Sequence, residues 1–179
     1  MVTVPGSSAA VPWPTSLSTA RLVLRPVEAA DVPAISRLWT DPEVRRYLGG
    51  PVAADEVARR QRGCAGLPGS FCAINCAGRT VLGLVAITPD SARGGRAEVS
   101  YQFLPEHWGH GYAREAVSAV VTWAQQEISP VRPVVAVTQE GNDRSRHLLE
   151  SIGMILTDSF VEFAAPQVMY SIDRAGLRA

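Results

Sequence analysis

The sequence predicts one α/β domain, and three observations carry that expectation. From Ser70 onward apolar residues recur with period two in three runs, 71–76, 80–88 and 98–104, separated by Ala77-Gly78 and by residues 91–95. Such runs read as half-buried strands paired antiparallel with their neighbours. The period then changes to that of a helix over 112–127, whose Ala113, Ala116, Val117, Val120, Val121 and Ala124 form a single apolar stripe. Between the last strand and this helix lies His107-Trp108-Gly109-His110-Gly111-Tyr112, a glycine turn at a strand-to-helix junction.

The other elements follow in order. Residues 1–18 are rich in Pro, Ser, Gly and Thr and read as a flexible lead-in that Trp13 pins to the body, leaving 19–175 as the domain. In 21–26, Leu22 and Leu24 alternate with Arg21, Val23 and Arg25, a strand. Asp31 is placed to cap a helix reaching about Trp39, with Pro33 in the first turn, where a missing N–H is tolerated. Asp41-Pro42 restarts a short helix toward Tyr47 that Gly49-Gly50-Pro51 stops, and another helix covers 53–62. Gly83 inside an alternating run implies a bulge or a close backbone approach. After the 112–127 helix comes a short buried strand at 133–138. Asn142 or Asp143 opens a further helix, which Gly153 ends, and 154–163 with 168–173 form a closing hairpin.

Composition narrows the function classes. A chain of 179 residues with 46% hydrophobic content buries a core without metal or disulfide staples. Its 17 basic and 17 acidic residues cancel, so the global field that nucleic acid or an anionic membrane would need is missing. All 17 basic residues are Arg, and without Lys neither a Walker-type P-loop nor a pyridoxal Schiff base can be built. Cys64, Cys72 and Cys76 make no C-x-x-C pair; Cys72 and Cys76 share a strand face too far apart to bridge, and all three read as small apolar residues in a reducing compartment. No signal peptide or membrane-length apolar stretch occurs, so a cytoplasmic location is expected. His107 and His110 lack a third ligand at zinc-type spacing, so no metal is expected.

The glycine turn is the strongest chemical signal. Glycines at such a junction let the chain bend tightly and leave N–H groups pointing outward at the positive end of a helix. That arrangement suits a phosphate or diphosphate.

In this order and spacing the motifs resemble the GNAT superfamily of N-acetyltransferases, and within it the branch that acetylates ribosomal-protein N-termini and assorted small amines. The resemblance spans about Ala20 to Asp173. It is carried by Thr19-Ala20-Arg21-Leu22-Val23-Leu24-Arg25-Pro26, by Ala97-Glu98-Val99-Ser100-Tyr101, and by Trp108-Gly109-His110-Gly111-Tyr112-Ala113-Arg114-Glu115-Ala116. Asn142-Asp143-Arg144-Ser145, Leu149-Glu150 and Ile152-Gly153-Met154 complete it. It implies a mixed, mostly antiparallel sheet of about seven strands with helices on both faces. The fourth and fifth strands would splay to admit a pantetheine arm. The activity implied is direct transfer of an acetyl group from acetyl-CoA to a primary amine, a protein N-terminus or a small molecule. A longer acyl donor and a homodimer are both compatible with it.

The resemblance also implies residue roles. Backbone N–H groups of Gly109, His110, Gly111, Tyr112, Ala113 and Arg114, beginning beside Trp108, would hold the diphosphate. Gln102, Phe103 and Leu104 would pair with pantetheine amides, and an N–H near Phe103 or Leu104 would meet the developing oxyanion. Asn142 would touch the arm or thioester, and Ser145 would hydrogen-bond near the sulfur. Two departures stand out. Trp108 replaces a Gln or Arg of many relatives, so that the diphosphate would rely more on backbone donors. Leu149 stands where other branches carry a Tyr that protonates the leaving thiolate, so Ser145 or solvent must serve. Glu98, in an apolar strand, is either the base that accepts the ammonium proton or an ion-paired or solvated carboxylate. Glu140 and Glu162 either bind the ammonium or are surface residues, and Trp39 and Tyr47 either line the acceptor pocket or are core. His147 reads as an ordinary helix residue. Two rivals remain: a catalytically weak acyl-CoA sensor of this fold, and an NAD or ATP enzyme. The second is opposed by the missing third glycine and acidic ribose partner.

Overall fold

The computed structural model describes residues 13–90, 96–128 and 132–173. In chain order its elements are β1 (Leu17–Ser18), β2 (Leu22–Pro26), α1 (Val32–Thr40), α2 (Pro42–Arg45), α3 (Ala54–Gly63), β3 (Ser70–Asn75), β4 (Val81–Asp90) and β5 (Arg96–Phe103). There follow α4 (Tyr112–Glu127), β6 (Val134–Gln139), α5 (Asp143–Ser151), β7 (Ile155–Glu162) and β8 (Ala165–Ile172). Among the described residues eight strands make one sheet in the order β1-β2-β3-β4-β5-β6-β8-β7. Each neighbouring pair is antiparallel except β5 with β6.

Period-two alternation sorts the strands onto two cores. Leu22, Leu24, Phe71, Ala73, Val85 and Val99 face α4, whose stripe of Ala116, Val117, Val120, Val121 and Ala124 is buried against them. On the other face Val27, Cys72 and Ile74 pack under Ile35, Leu38 and Trp39 of α1. Each fully buried Leu, Ile or Val side chain contributes roughly 1.5–3 kcal/mol relative to exposure, so both layers are strongly held to the sheet.

The sheet has eight strands, against the expected seven or so, because part of the lead-in joins it: Leu17 pairs with Leu24. Trp13 also belongs to the body, its ring 5.1 Å from Phe71 and its indole N–H bonded to Gly66 O. Residues 1–12 of the lead-in and the expected turn at 91–95 lie outside the described residues.

Two local expectations need correction, and one open alternative is decided. Asp31 precedes α1 but makes no side-chain cap for it. Its carboxylate instead takes two bonds from Arg25, at 2.7 and 3.1 Å, and one from the Glu28 N–H at 2.8 Å. Burial opposes ionisation there, but these donors outweigh it and hold the carboxyl below its ordinary range. Cys76 falls beyond the end of β3 and is exposed, whereas Cys72 is buried in the strand, with its thiol pushed up to about 12 by burial. Asn142, not Asp143, is the N-cap of α5. At Gly83 both halves of the expectation hold. The pairing with β3 skips Leu82, and a Cβ on Gly83 would run into the Gln102 carbonyl and the Phe103 ring. No helix among the described residues is long and apolar enough to cross a membrane.

Candidate active site

The site arises where the sheet comes apart. β5 and β6 pair through only Ala97 with Val134 and Glu98 with Val135, and then diverge. A cavity of about 880 Å³ occupies the opening. Its walls include Val99 to Phe103 of β5, Ala136 to Thr138 of β6, the turn before α4, the first turns of α5, and Tyr47 just after α2.

Ladder geometry decides which main-chain groups the opening receives. Residues of an antiparallel strand point their N–H and C=O alternately to one neighbour and the other. Leu104 N–H donates to Leu82 O at 2.9 Å, and Ile87 N–H to Gly69 O at 2.9 Å. With Gly83 opposite Phe103, this alternation turns the N–H groups of Tyr101 and Phe103 away from β4, toward the gap. The Phe103 carbonyl is already taken by the Trp108 indole N–H at 2.8 Å. Of the expected trio, therefore, Phe103 alone offers an N–H. Leu104 spends its own on β4 and is buried in the opposite core, and Gln102 pairs with Leu84. Gln102 is among the lining residues, and its side-chain Oε1 is buried without a hydrogen-bond partner among the described residues, an acceptor that a bound N–H would satisfy.

At the other end of the cavity Gly109 and Gly111 adopt φ of +79° and +76°, which side chains disfavour. A Cβ at Gly109 would project into open space. The first N–H bonded within α4 is that of Glu115, to Gly111 O at 3.1 Å, so those of Tyr112, Ala113 and Arg114 precede the first helical bond. This concave row of donors fits a diphosphate.

The turn is braced by a network that the sequence reading did not foresee. Glu115 accepts from Thr19 Oγ1 at 2.5 Å, from Arg21 N–H at 2.9 Å and from Arg21 Nε at 2.7 Å. Arg21 Nη1 also donates to His110 O at 2.9 Å, and its guanidinium lies over the Tyr112 ring at 4.6 Å. Burial works against the Glu115 charge, but the Thr19 and Arg21 bonds prevail and keep its carboxyl below the ordinary glutamate range. The signal was present, since Thr19, Arg21 and Glu115 all sit in the quoted motifs, but nothing in one dimension joins residues 94 apart.

Several expected residues meet at the cavity. Trp108, Gly109, Gly111, Tyr112, Ala113, Arg114, Asn142, Ser145 and Tyr47 all line it. Asn142 uses its Oδ1 as the α5 cap, accepting from Ser145 N–H at 3.2 Å. His107 and His147 also line it, although neither was singled out for that. Arg144, in the first turn of α5, places its guanidinium 4.4 Å from the Trp108 ring centroid, a cation that the sequence reading did not place there. Leu149 is fully buried against the cavity.

Others do not reach it. Trp39 is core, 5% exposed, with Arg60 over its ring. Glu140 is exposed, and its main chain bonds to Pro166 and Arg146. Glu162 ends β7, and neither it nor Glu98, at the last paired step before the opening, lies on the cavity wall. The His110 side chain is off the wall as well, stacked on Tyr112 with centroids 5.8 Å apart. Tyr101, quoted in a motif but given no role there, also belongs to the site. Its hydroxyl stands 2.7 Å from Ser145 Oγ and 3.3 Å from Ser145 O, and burial pushes the phenol up to about 12. Among the described residues no three His, Cys, Asp or Glu side chains group as a metal site.

Comparison with known proteins agrees with this geometry. Residues 21–155 match the family model for an acetyltransferase (GNAT) domain. The chain is 30% identical over 180 residues to the FsC-acetyl coenzyme A-N(2)-transacetylase of Aspergillus fumigatus, covering 89% of this chain and 76% of that protein. A GNAT-family acetyltransferase from Bacillus anthracis superposes with a TM-score of 0.78 at 21% identity, covering 88% of this chain and 98% of its own. The spermidine N-acetyltransferase of Vibrio cholerae, solved with CoA and spermine, gives 0.72 at 19% identity, covering 90% and 100%. The chain belongs to the GNAT family of N-acetyltransferases.

Proposed function

We propose that this GNAT-family chain transfers an acetyl group from acetyl-CoA directly to a primary amine, on a protein N-terminus or a small molecule, without a covalent enzyme intermediate. The observation that carries this reading is the continuity of one cavity from the unclaimed N–H groups after Gly109 to the Phe103 N–H and Ser145 hydroxyl in the β5–β6 gap. The names of the Aspergillus and Vibrio relatives, an acetyl coenzyme A transacetylase and a spermidine N-acetyltransferase, support the donor and the acceptor class.

Bound acetyl-CoA would supply the activated thioester; the rest is done by this chain. Backbone donors from Gly109 to Arg114 hold the diphosphate, and Arg144 on Trp108 adds a cation beside them. The Phe103 N–H serves the developing oxyanion and replaces the Leu104 alternative. Gln102 Oε1 takes an N–H from the pantetheine arm or the incoming amine. Ser145 hydrogen-bonds the departing sulfur. Tyr47 lies on the acceptor side of the opening. Because Glu98, Glu140 and Glu162 are off the wall, the ammonium proton leaves through water rather than directly to one of them.

The opening Thr19-to-Pro26 motif supports a protein N-terminus among the acceptors, as in the ribosomal-protein branch. A second reading, a weakly active acyl-CoA sensor, is favoured by Leu149, which puts a hydrocarbon where other branches carry an acidic phenol. Release of free thiol from acetyl-CoA, measured over a panel of peptide N-termini, amino acids and polyamines, separates the two. Acceptor-dependent release is expected. Coenzyme binding without release under any acceptor would favour the sensor, and no coenzyme binding would end both.

A further inference from the structure

We propose that Tyr101 is the positioning residue for Ser145: its phenol donates to Ser145 Oγ, so that the serine's own O–H is the one turned toward the departing sulfur. The inference rests on the acetyl-transfer reading and adds a residue to it.

Three contacts fix the arrangement. Ser145 is anchored at its main chain by the Asn142 cap, 3.2 Å from Ser145 N to Asn142 Oδ1. Its hydroxyl lies 2.7 Å from the Tyr101 hydroxyl, well inside hydrogen-bond range, whereas the alternative acceptor, the Ser145 carbonyl, is at 3.3 Å. A phenol is a stronger donor than an aliphatic alcohol, so the shorter bond runs from Tyr101 to Ser145. Burial keeps the phenol protonated across the working pH range, and the donor is never lost. Tyr101 comes from the splayed β5 and Ser145 from α5 across the opening, so this bond also spans the gap.

The chemistry follows from acidities. An aliphatic hydroxyl is too weak an acid to give its proton to a thiolate, whose conjugate thiol has a pKa of about 8.5. Ser145 therefore contributes a hydrogen bond and keeps its proton. The amine nitrogen forms the C–N bond, and the C–S bond breaks with its electron pair on sulfur. The thiolate leaves hydrogen-bonded to Ser145 and is protonated by water, while the surplus proton on nitrogen goes to water. This division of labour explains how the site does without a phenol at Leu149.

The test combines Tyr101→Phe, which keeps the ring, with Ser145→Ala and the double variant. Calorimetric affinity for coenzyme A should stay within about twofold in all three, because neither hydroxyl belongs to the diphosphate turn. The kcat should fall about tenfold in Tyr101→Phe and about a hundredfold in Ser145→Ala, with KM for acetyl-CoA unchanged. The double variant should be no slower than Ser145→Ala alone. In crystals grown without coenzyme, Ser145 should hold one rotamer in the wild type and several in Tyr101→Phe. A wild-type kcat in Tyr101→Phe, a further tenfold loss in the double variant, or an unchanged single rotamer would each overturn the proposal. If the wild type binds no coenzyme A, the acetyl-transfer reading fails and this inference with it. If it binds and Tyr101→Phe is silent, only this inference fails.

Discussion

The two ends of the cavity are held by different means. At the turn, the groups proposed to hold the ligand are chiefly main-chain N–H donors with Arg144 beside them, and Thr19, Arg21 and Glu115 fix the loop from behind without lining the β5–β6 gap. At the opening, the groups proposed to meet the reacting atoms are the Ser145 hydroxyl, the Gln102 amide and the Phe103 N–H, with Tyr101 acting from behind on Ser145. A backbone site depends on shape and fails abruptly when a turn cannot form. A side-chain site depends on individual functional groups and degrades in steps. Variants at the turn should therefore move coenzyme affinity, and variants at the opening should move kcat.

Gly111→Glu tests the first half most severely. A side chain there must adopt φ of +76°, its Cβ would sit 3.4 Å from Arg21 Nη2, and its charge would repel the diphosphate. Calorimetry should find affinity for coenzyme A reduced by more than about a hundredfold, ~2.8 kcal/mol. Ser145→Ala is its counterpart at the other end. Steady-state kinetics should give about a hundredfold lower kcat with affinity retained; equal losses in both quantities would erase the distinction.

Arg21→Ala probes the brace. The donors of the turn remain but their support goes, so affinity should weaken about tenfold, ~1.4 kcal/mol, with kcat at saturation preserved. Smaller still is the pH effect of Glu115. Its folded-state carboxyl lies below the unfolded value, so the stability it adds is present above about pH 4.3, the ordinary glutamate value, and is lost as pH falls through the lower folded value. Thermal melts of Glu115→Gln should accordingly differ from wild type near neutrality and converge with it in acid. The smallest expected change is in Glu98→Gln, since the residue is off the cavity wall. Turnover should stay within about twofold, and a tenfold loss would restore Glu98 as the base.

The parts of the site that were legible are those built from contiguous chain. Gly109 and Gly111 announce their turn because little else tolerates positive φ, and the helix after them announces its direction through its apolar stripe. Asn142 and Ser145 share one helix start, so their proximity could be read from spacing. Glu98 and Trp39 were open questions for the opposite reason. A carboxylate among apolar residues, or an aromatic beside a helix, fits a wall or a core equally well until neighbouring elements are in place.

By itself the sequence determined the order and type of the elements from β2 onward, the two faces of most strands, and the glycine turn before α4. These depend on local sterics and on which side chains avoid water. Only the tertiary structure decided where β5 parts from β6, which strand-end N–H remains unspent, and that Tyr101 meets Ser145 while Arg21 meets Glu115. Those outcomes depend on hydrogen bonds between residues 44 and 94 positions apart, which form only once both cores have fixed the elements that carry them.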